Sequence, residues 1–202
     1  GEYMDNADLN GAPVVVRDDP SIAFDWGVGT PAPRIPADRF SVRWTRDLEL
    51  PQGAYRFVVQ ADDGVRLFVD NRPVIDQWES AGLRTFEGYL WLAAGAHSVR
   101  LEYREHVGNA MVQLSYGTLN VFHHWRGEYY ANDSLAGAPV LVRDDPELRF
   151  EWGTAAPALG MPADNWSARW TRTLPLEAGR YRFTAGADDG LRLYLNDQCL
   201  ID

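Results

Sequence analysis

Apolar and polar residues alternate in short runs along much of the chain. In residues 55–59, 65–69, 99–104 and 112–116, every second residue is apolar. A period of two is typical of a strand that buries one face, and the Gly, Asn and Asp residues between the runs are typical of turns. No long window carries the apolar stripe of a helix. The pattern therefore predicts an all-β fold, an antiparallel β-sandwich or barrel.

The chain repeats itself at a constant offset of 126 residues. Residues 1–76 align without a gap to residues 127–202 and are identical at 41 of 76 positions. A unit of this length is the size of a domain, so the repeat indicates a tandem array of domains rather than a short-repeat solenoid. We predict a complete domain at residues 1–118, a short linker at 119–126 and the N-terminal part of a second copy at 127–202.

The second copy has no counterpart of residues 77–126. Those residues contain several strand candidates, and a sheet that lacks them would expose unpaired edges. We therefore expect the missing strands to come from the rest of a longer chain or from another subunit. A short linker also limits the reach between copies, which favours neighbouring copies that stack in a fixed orientation.

Composition excludes several classes of protein. The net charge is −10, which disfavours nucleic acid as a partner because phosphates need a basic surface. No run approaches the roughly 18 consecutive apolar residues of a membrane-spanning helix, so we expect no membrane insertion. Cys199 is the one cysteine, which excludes an intrachain disulfide. The sequence has no nucleophile elbow, zinc motif or phosphate-binding loop, and we predict that the protein is not an enzyme.

The first copy carries a characteristic order of short segments: GEYM at 1–4, PVVVRDDP at 13–20, FDWG at 24–27, FSVRWT at 40–45, ADDGVRLFVD at 61–70 and YRE at 103–105. This order resembles the anthrax protective-antigen (PA-14) domain family. The resemblance covers residues 1–126 and the truncated second copy. It implies a β-sandwich that occurs in bacterial toxins, as an accessory module in glycoside-active enzymes, and in flocculins and other adhesins.

The resemblance also implies a metal site. In the lectin members of the family, two adjacent aspartates joined by a cis peptide bond hold Ca²⁺, and the ion coordinates sugar hydroxyls. The matching pair in this chain is Asp62 and Asp63. Further ligands of the sugar-binding relatives come from a late loop that contains asparagine, and the loop at 105–110 offers Asn109.

The chemistry of the residues leaves two interpretations of this acid pair open. Ca²⁺ prefers six to eight oxygen ligands, several of them carboxylates, so consecutive aspartates suit it. Asp63-Gly64 is also a favoured hairpin-turn dipeptide, with Asp62 free to accept backbone N–H groups. Asp188 and Asp189 repeat the pair in the second copy, where the late loop is missing, so that these two residues could form at most half of a metal site.

Another acid pair, Asp18 and Asp19, precedes Pro20 and returns at 144–145. Because a following proline restricts Asp19 to extended conformations, we interpret this pair as part of a turn. Arg17 could pair with either carboxylate, with a gain of about 0–1 kcal/mol for an exposed ion pair.

These observations favour a non-catalytic carbohydrate-binding or adhesion module of a secreted or cell-surface protein. Asp62, Asp63 and Asn109 would bind glycans through Ca²⁺, and aromatic residues such as Trp78 or Tyr89 could stack on sugar rings. The gapless duplication supports an alternative, a structural spacer or subunit module of a repetitive surface protein or filament whose partners are neighbouring copies. A third hypothesis, an accessory module of a glycoside hydrolase, is not distinguished from the first by these residues.

Overall fold

The computed structural model describes residues 1–202 and consists of strands, turns and loops without a helix. The first copy contains β1 (Glu2–Met4), β2 (Val15–Val16), β3 (Ala23–Gly27), β4 (Phe40–Leu50), β5 (Gly53–Asp62), β6 (Gly64–Val69), β7 (Arg72–Gln77), β8 (Arg84–Leu92), β9 (Gly95–Glu105) and β10 (Ala110–Thr118). The second copy contains β11 (Trp125–Tyr130), β12 (Leu141–Asp145), β13 (Ser167–Thr171), β14 (Leu193–Leu195) and β15 (Gln198–Ile201). The predicted all-β, antiparallel fold is confirmed. No helix is present that could span a membrane.

The first copy is a sandwich of two antiparallel sheets. The order of the six-stranded sheet is β2-β1-β4-β9-β6-β7, and that of the four-stranded sheet is β3-β10-β5-β8. Because side chains alternate between the faces of a strand, alternate residues in the central parts of both sheets enter the shared core. The predicted apolar faces supply much of this core: Tyr55, Phe57, Val59, Val65, Leu67, Val69, Val99, Leu101, Tyr103 and Val112.

At one end of the sandwich the chain crosses between the two sheets in four connections, β3–β4, β5–β6, β7–β8 and β9–β10. Two of these crossings form the centre of this end: β5 joins β6 at Asp62–Gly64, and β9 joins β10 through residues 106–109. The register brings the two crossings together, since Met111 of β10 pairs with Asp62, and Gly64 pairs with Arg104 of β9. This end of the sandwich therefore assembles loops that are distant in sequence.

The chain divides into two compact units, Gly1–Arg172 and Thr173–Asp202. Besides the first copy, the larger unit holds a three-stranded sheet of the second copy in the order β12-β11-β13. This order repeats β2-β1-β4 of the first copy, as the repeated sequence requires. The strand β11 starts at Trp125, inside the segment that the sequence predicts as a linker.

The smaller unit contains the hairpin of β14 and β15. Its residues 173–192 form no strand, although their counterparts at 47–66 extend over β4, β5 and β6 in the first copy. In the first copy those strands pair with β8, β9 and β10. No counterpart of these three partners lies within residues 1–202, which explains why the same sequence pattern forms strands in one copy only.

Candidate functional site

The aspartate pair singled out in the sequence lies at the crossing between the sheets. Asp62 ends β5, Gly64 begins β6, and the peptide bond between Asp62 and Asp63 is cis. The two flanking strands belong to different sheets, so Asp63-Gly64 does not form the tight hairpin that the dipeptide suggests. Asp62 is half-buried and Asp63 is 5% exposed.

Asp63 holds two loops together. Its Oδ1 accepts a hydrogen bond from the backbone N–H of Gly82 at 2.8 Å, and its Oδ2 accepts one from the backbone N–H of His106 at 3.0 Å. The first amide lies in the loop between β7 and β8, and the second lies in the loop between β9 and β10. Hydrogen bonds to a buried carboxylate are among the stronger ones in proteins. Asp63 therefore fixes the positions of both loops around the site.

Gly64 is required at the crossing because the backbone of Trp78 approaches it closely, and not because of a turn conformation. Its φ is not in the left-handed region, unlike that of a glycine in a primed hairpin turn. A Cβ at this position would lie 2.9 Å from the carbonyl carbon of Trp78 and closer still to its oxygen. The backbone of the β7–β8 loop thus passes directly over Gly64.

Glu105 is a fully buried carboxyl group next to the aspartates. Its Oε2 lies 3.0 Å from the Tyr103 hydroxyl, which also bonds to the carbonyl oxygen of Asp62. Its Oε1 has no hydrogen-bond partner. Burial, followed by the negative charge of Asp63, raises the pKa of Glu105 to about 8, with smaller contributions from Asp62 and Asp38. At neutral pH the carboxyl group is therefore mostly protonated.

In the sequence, Glu105 belongs to the late loop, and no motif there indicates a role for it at the site. Alternation offered the signal, because Leu101 and Tyr103 face the core and residue 105 falls on the same face. A carboxyl group on the core face of a strand is unusual, since burial of an ionised acid without a partner is costly.

The acid cluster carries no internal counter-charge. No arginine or histidine forms an ion pair with Asp62, Asp63 or Glu105, whereas Glu102, also on β9, pairs with Arg43, Arg66 and Arg100. Burial and the neighbouring charge of Asp63 raise the pKa of Asp62 above its usual value. Like charges at close quarters raise carboxyl pKa values in this way.

Asn109, the third predicted ligand, is exposed in the β9–β10 loop. It stands two residues before Met111, the register partner of Asp62, so the fold brings this loop beside the aspartates. The loop is also fixed by Gly108, whose N–H donates to Asp38 Oδ1 at 2.9 Å. The asparagine therefore lies in a loop whose backbone is restrained next to the crossing.

The fit of a divalent cation to this cluster is partial. No group of three or more His, Cys, Asp or Glu side chains is arranged so that it could hold a metal ion. The orphaned Oε1 of Glu105 and the uncompensated charges of Asp62 and Asp63 are nevertheless features that a bound cation would satisfy. Ca²⁺ needs six to eight oxygens, so backbone, amide, water or ligand oxygens would have to supply the remainder.

The corresponding pair in the second copy has a different setting. Asp188 and Asp189 lie in the unit Thr173–Asp202, and both are exposed. Asp189 has φ 68°, in the left-handed region, and the cis peptide bond of the first copy is not repeated there. No loop equivalent to 105–110 lies within residues 1–202.

The two aromatic residues suggested for sugar stacking have other contacts. Trp78 borders an open groove between β7 and β8 lined by Asp76, Ser80 and Arg84, but the Arg66 guanidinium lies 4.1 Å from the centroid of its ring. Tyr89 packs against the apolar cluster of the second copy. Trp78 therefore remains at the edge of the site, whereas Tyr89 lies away from it.

The chain is similar to a known domain family and to a curated bacterial protein. A family model described as the PA14 domain matches residues 1–121 and 125–202. The anti-sigma-I factor RsgI3 of Acetivibrio thermocellus is 30% identical over 226 residues, which cover 100% of this chain and 35% of that protein. The chain thus spans about a third of the length of this curated relative.

Two solved structures are similar to this chain over most of its length. An anti-sigma factor domain-containing protein aligns with a TM-score of 0.54 and 32% identity, covering 84% of this chain and 66% of that chain. A protein of the same description from Clostridium clariflavum aligns with a TM-score of 0.54 and 30% identity, covering 85% and 67%.

Proposed function

Because the chain belongs to the PA14 domain family, we propose that its first copy is a non-catalytic carbohydrate-binding module that uses Ca²⁺ at Asp62, Asp63 and Asn109. The observation that carries this proposal is the uncompensated acid cluster with a buried, unpartnered Glu105 oxygen. This cluster lies where the β5–β6, β7–β8 and β9–β10 crossings meet, a position from which a rigid scaffold can present ligands to solvent.

The chemistry of the cluster supports a cation with open coordination positions. Asp62 and Asp63 supply adjacent carboxylates, and Asn109 supplies an amide oxygen from a restrained loop. When bound, Ca²⁺ would supply a Lewis-acidic centre on which neutral hydroxyl oxygens can replace water. Binding of the ion would favour loss of the Glu105 proton, since a nearby positive charge stabilises the carboxylate. Vicinal hydroxyls of a sugar are ligands of this kind.

The setting of the module is part of the proposal. Glycan polymers are encountered outside the cell, so we place the module on a secreted or surface-exposed part of its protein. The likeness to anti-sigma factors favours a larger regulatory protein as the parent, in which glycan binding would be the sensed event. An adhesin and an accessory module of a glycoside hydrolase stay as predictions of the sequence alone.

A spacer role is the second candidate function, and one observation favours it. Within Gly1–Arg172, the first copy packs directly against the second: Tyr89 joins the cluster around Leu141 and Met161. A packed contact between successive copies restricts their relative motion. The two roles are compatible, because a binding module can also hold its neighbour in place.

A calcium-dependent melting experiment tests the metal site. Ligand that binds only the folded state stabilises it by RT ln(1+[L]/Kd), about 2.7 kcal/mol at 100 times Kd. We expect millimolar Ca²⁺ to raise the melting temperature of the wild-type chain and excess chelator to reverse the change. Asp62→Asn should abolish this shift with little change in the metal-free melt, since the Asp62 side chain makes no hydrogen bond that holds a loop.

The matched control is Asp188→Asn, the equivalent change in the second copy, which should keep the full calcium shift. A wild-type melt that is unchanged by Ca²⁺ would refute the metal site. A glycan array probed with Ca²⁺ and again with chelator then tests the ligand class. Binding that appears with Ca²⁺ and disappears in the Asp62→Asn variant is the expected result, and arrays that are blank in both conditions would remove carbohydrate as the ligand.

A further inference from the structure

The two copies contact each other through different faces, so that the face used by the first copy is not the face used by the second. On the first copy the contact involves β8, where Tyr89 packs against the second copy and the backbone N–H of Trp91 donates to the carbonyl of Val140 at 3.3 Å. On the second copy it involves residues 140–142, which we term the docking segment. The contact is therefore heterologous, with two unlike surfaces meeting.

The repeat provides the same segment a second time. Residues 14–16 of the first copy align with the docking segment at the constant offset of 126. Val142 is 0% exposed, whereas the equivalent Val16 is 68% exposed. A heterologous contact between copies can extend head to tail unless one face is closed. Within residues 1–202 the first copy therefore presents the exposed Val16 segment, which the β7–β8 edge of a second molecule of this chain could approach.

The two faces differ at one informative position next to the segment. Arg34 in the first copy stands where the second copy has Gly160, and the backbone is alike, with φ 72° and φ 78°. Arg34 Nη2 donates to the carbonyl of Val14 at 3.0 Å. Val14 is the counterpart of Val140, so the arginine contacts the same carbonyl that receives the Trp91 N–H in the second copy.

Gly160 leaves room for the first copy at the contact. A Cβ at position 160 would lie 3.6 Å from the carbonyl oxygen of Pro73 in β7, which is ordinary van der Waals distance. A methyl group therefore fits, but a longer side chain would have to pass the backbone of β7. The arginine of the first copy would occupy this space if the β7–β8 edge of another molecule approached its face.

We propose that positions 34 and 160 decide which copy can dock. Gly160 admits the β7–β8 edge of the first copy, and Arg34 closes the equivalent face against the same edge of a second molecule of this chain. The contact then forms at the face of the second copy and not at the equivalent face of the first copy. The Arg34 guanidinium closes the face because it donates to the Val14 carbonyl and because the side chain covers the space beside that carbonyl.

Hydrogen exchange of two amides tests the role of Gly160 in the whole chain. The Trp91 N–H reports the contact between copies, and the Val140 N–H, which donates to Tyr129 within the second copy at 2.7 Å, reports local folding. We expect Gly160→Arg to speed exchange at Trp91 by about tenfold or more while Val140 stays protected. Gly160→Ala shares the loss of backbone freedom without the long side chain, and exchange at Trp91 should stay within about twofold of wild type.

Two results would overturn this part of the proposal. One is a Trp91 amide that exchanges in the wild-type chain as fast as an open edge amide, and the other is equal loss of protection in Gly160→Ala and Gly160→Arg. The first measurement needs no variant, so it decides the matter even where Gly160→Arg disturbs folding of the second copy.

A double variant tests the role of Arg34. Gly160→Arg frees the β7–β8 edge but leaves Arg34 in place, so we expect this chain to sediment as a monomer. Addition of Arg34→Gly opens the first face as well, and the double variant should associate in a concentration-dependent manner. Arg34→Gly alone should remain monomeric, since its edge is occupied by its own second copy. Equal association with and without Arg34, or a double variant that stays monomeric, would overturn the closing role of Arg34.

Discussion

Asp19→Ala is expected to lower the free energy of unfolding by about 3–5 kcal/mol, the range for removal of one partner from a buried charged network. The Asp19 side chain is 5% exposed and accepts hydrogen bonds from the Tyr3 hydroxyl at 2.7 Å, the Trp44 indole N–H at 2.8 Å and Arg17 Nε at 2.7 Å. Removal of the carboxylate leaves the buried Tyr3 hydroxyl and the buried Trp44 indole N–H without this acceptor. Chemical denaturation of the two proteins measures the difference.

Asp18→Ala is the matched control for this prediction. Asp18 is exposed, and its carboxylate takes no part in the Tyr3–Arg17–Trp44 network around Asp19. We expect its replacement to change stability by no more than about 0.5 kcal/mol. Equal losses in the two variants would show that Asp19 acts as a simple turn residue after all.

The pH dependence of the Asp19 effect has a fixed sign. Burial opposes ionisation, but hydrogen bonds from Tyr3, Trp44 and Arg17 outweigh it and hold the pKa of Asp19 below its usual value. A lowered folded-state pKa contributes stability above the unfolded-state value of about 3.9, which is lost as the pH falls further. The difference between wild type and Asp19→Ala should therefore be full at neutral pH and shrink in acid below about pH 4.

Gly64→Ala is expected to destabilise the first copy by about 2–3 kcal/mol, as overpacking of a close backbone contact does. The added methyl group would meet the carbonyl group of Trp78, with its carbon 2.9 Å away, and Arg104 Cγ at 3.2 Å. Backbone atoms cannot rotate aside, so the β7–β8 loop must shift. Because Gly82 of that loop is bonded to Asp63, the shift should also weaken any calcium response of the site.

Gly117→Ala provides the control for the Gly64 variant. Gly117 also lies in a strand, and a Cβ there would meet no atom within 4 Å. The control should be neutral or slightly stabilising, since alanine reduces the freedom of the unfolded chain. Thermal melts of both variants with and without Ca²⁺ measure the two effects, and a Gly64→Ala protein as stable as the control would disprove the close contact.

Much of the fold could be predicted from the sequence because its signals are local and repeated. The alternation at 55–59 and 65–69 identifies β5 and β6 and their buried faces. The constant offset identifies two copies of one domain, and the PA14 family match confirms the resemblance. A period of two is a property of neighbouring residues, so no knowledge of partners is needed to see it.

Only part of the candidate site could be predicted from the sequence, because its remaining features depend on partners that are distant along the chain. Asp63-Gly64 has the composition of a hairpin turn, yet the glycine is required by Trp78, which lies 14 residues later. The following Pro20 favours a turn at Asp19, whereas the fold makes the Asp19 carboxylate the shared acceptor of three side chains. The roles of Asp62, Asp63 and Asn109 as metal ligands stay predictions that the melting experiment addresses.

The two hydrogen bonds that Asp63 accepts, from the backbone N–H groups of Gly82 and His106, have a consequence for how this module could diversify. Both donors are main-chain amides, so the attachment does not depend on the side chain at position 106, and only proline is forbidden there. Residues beside the attachment points can be exchanged while the loop ends stay in register. A library that varies 79–81 and 107, and keeps Gly108 with its φ of 104° and the proposed ligand Asn109, would thus sample new recognition surfaces on an unchanged frame.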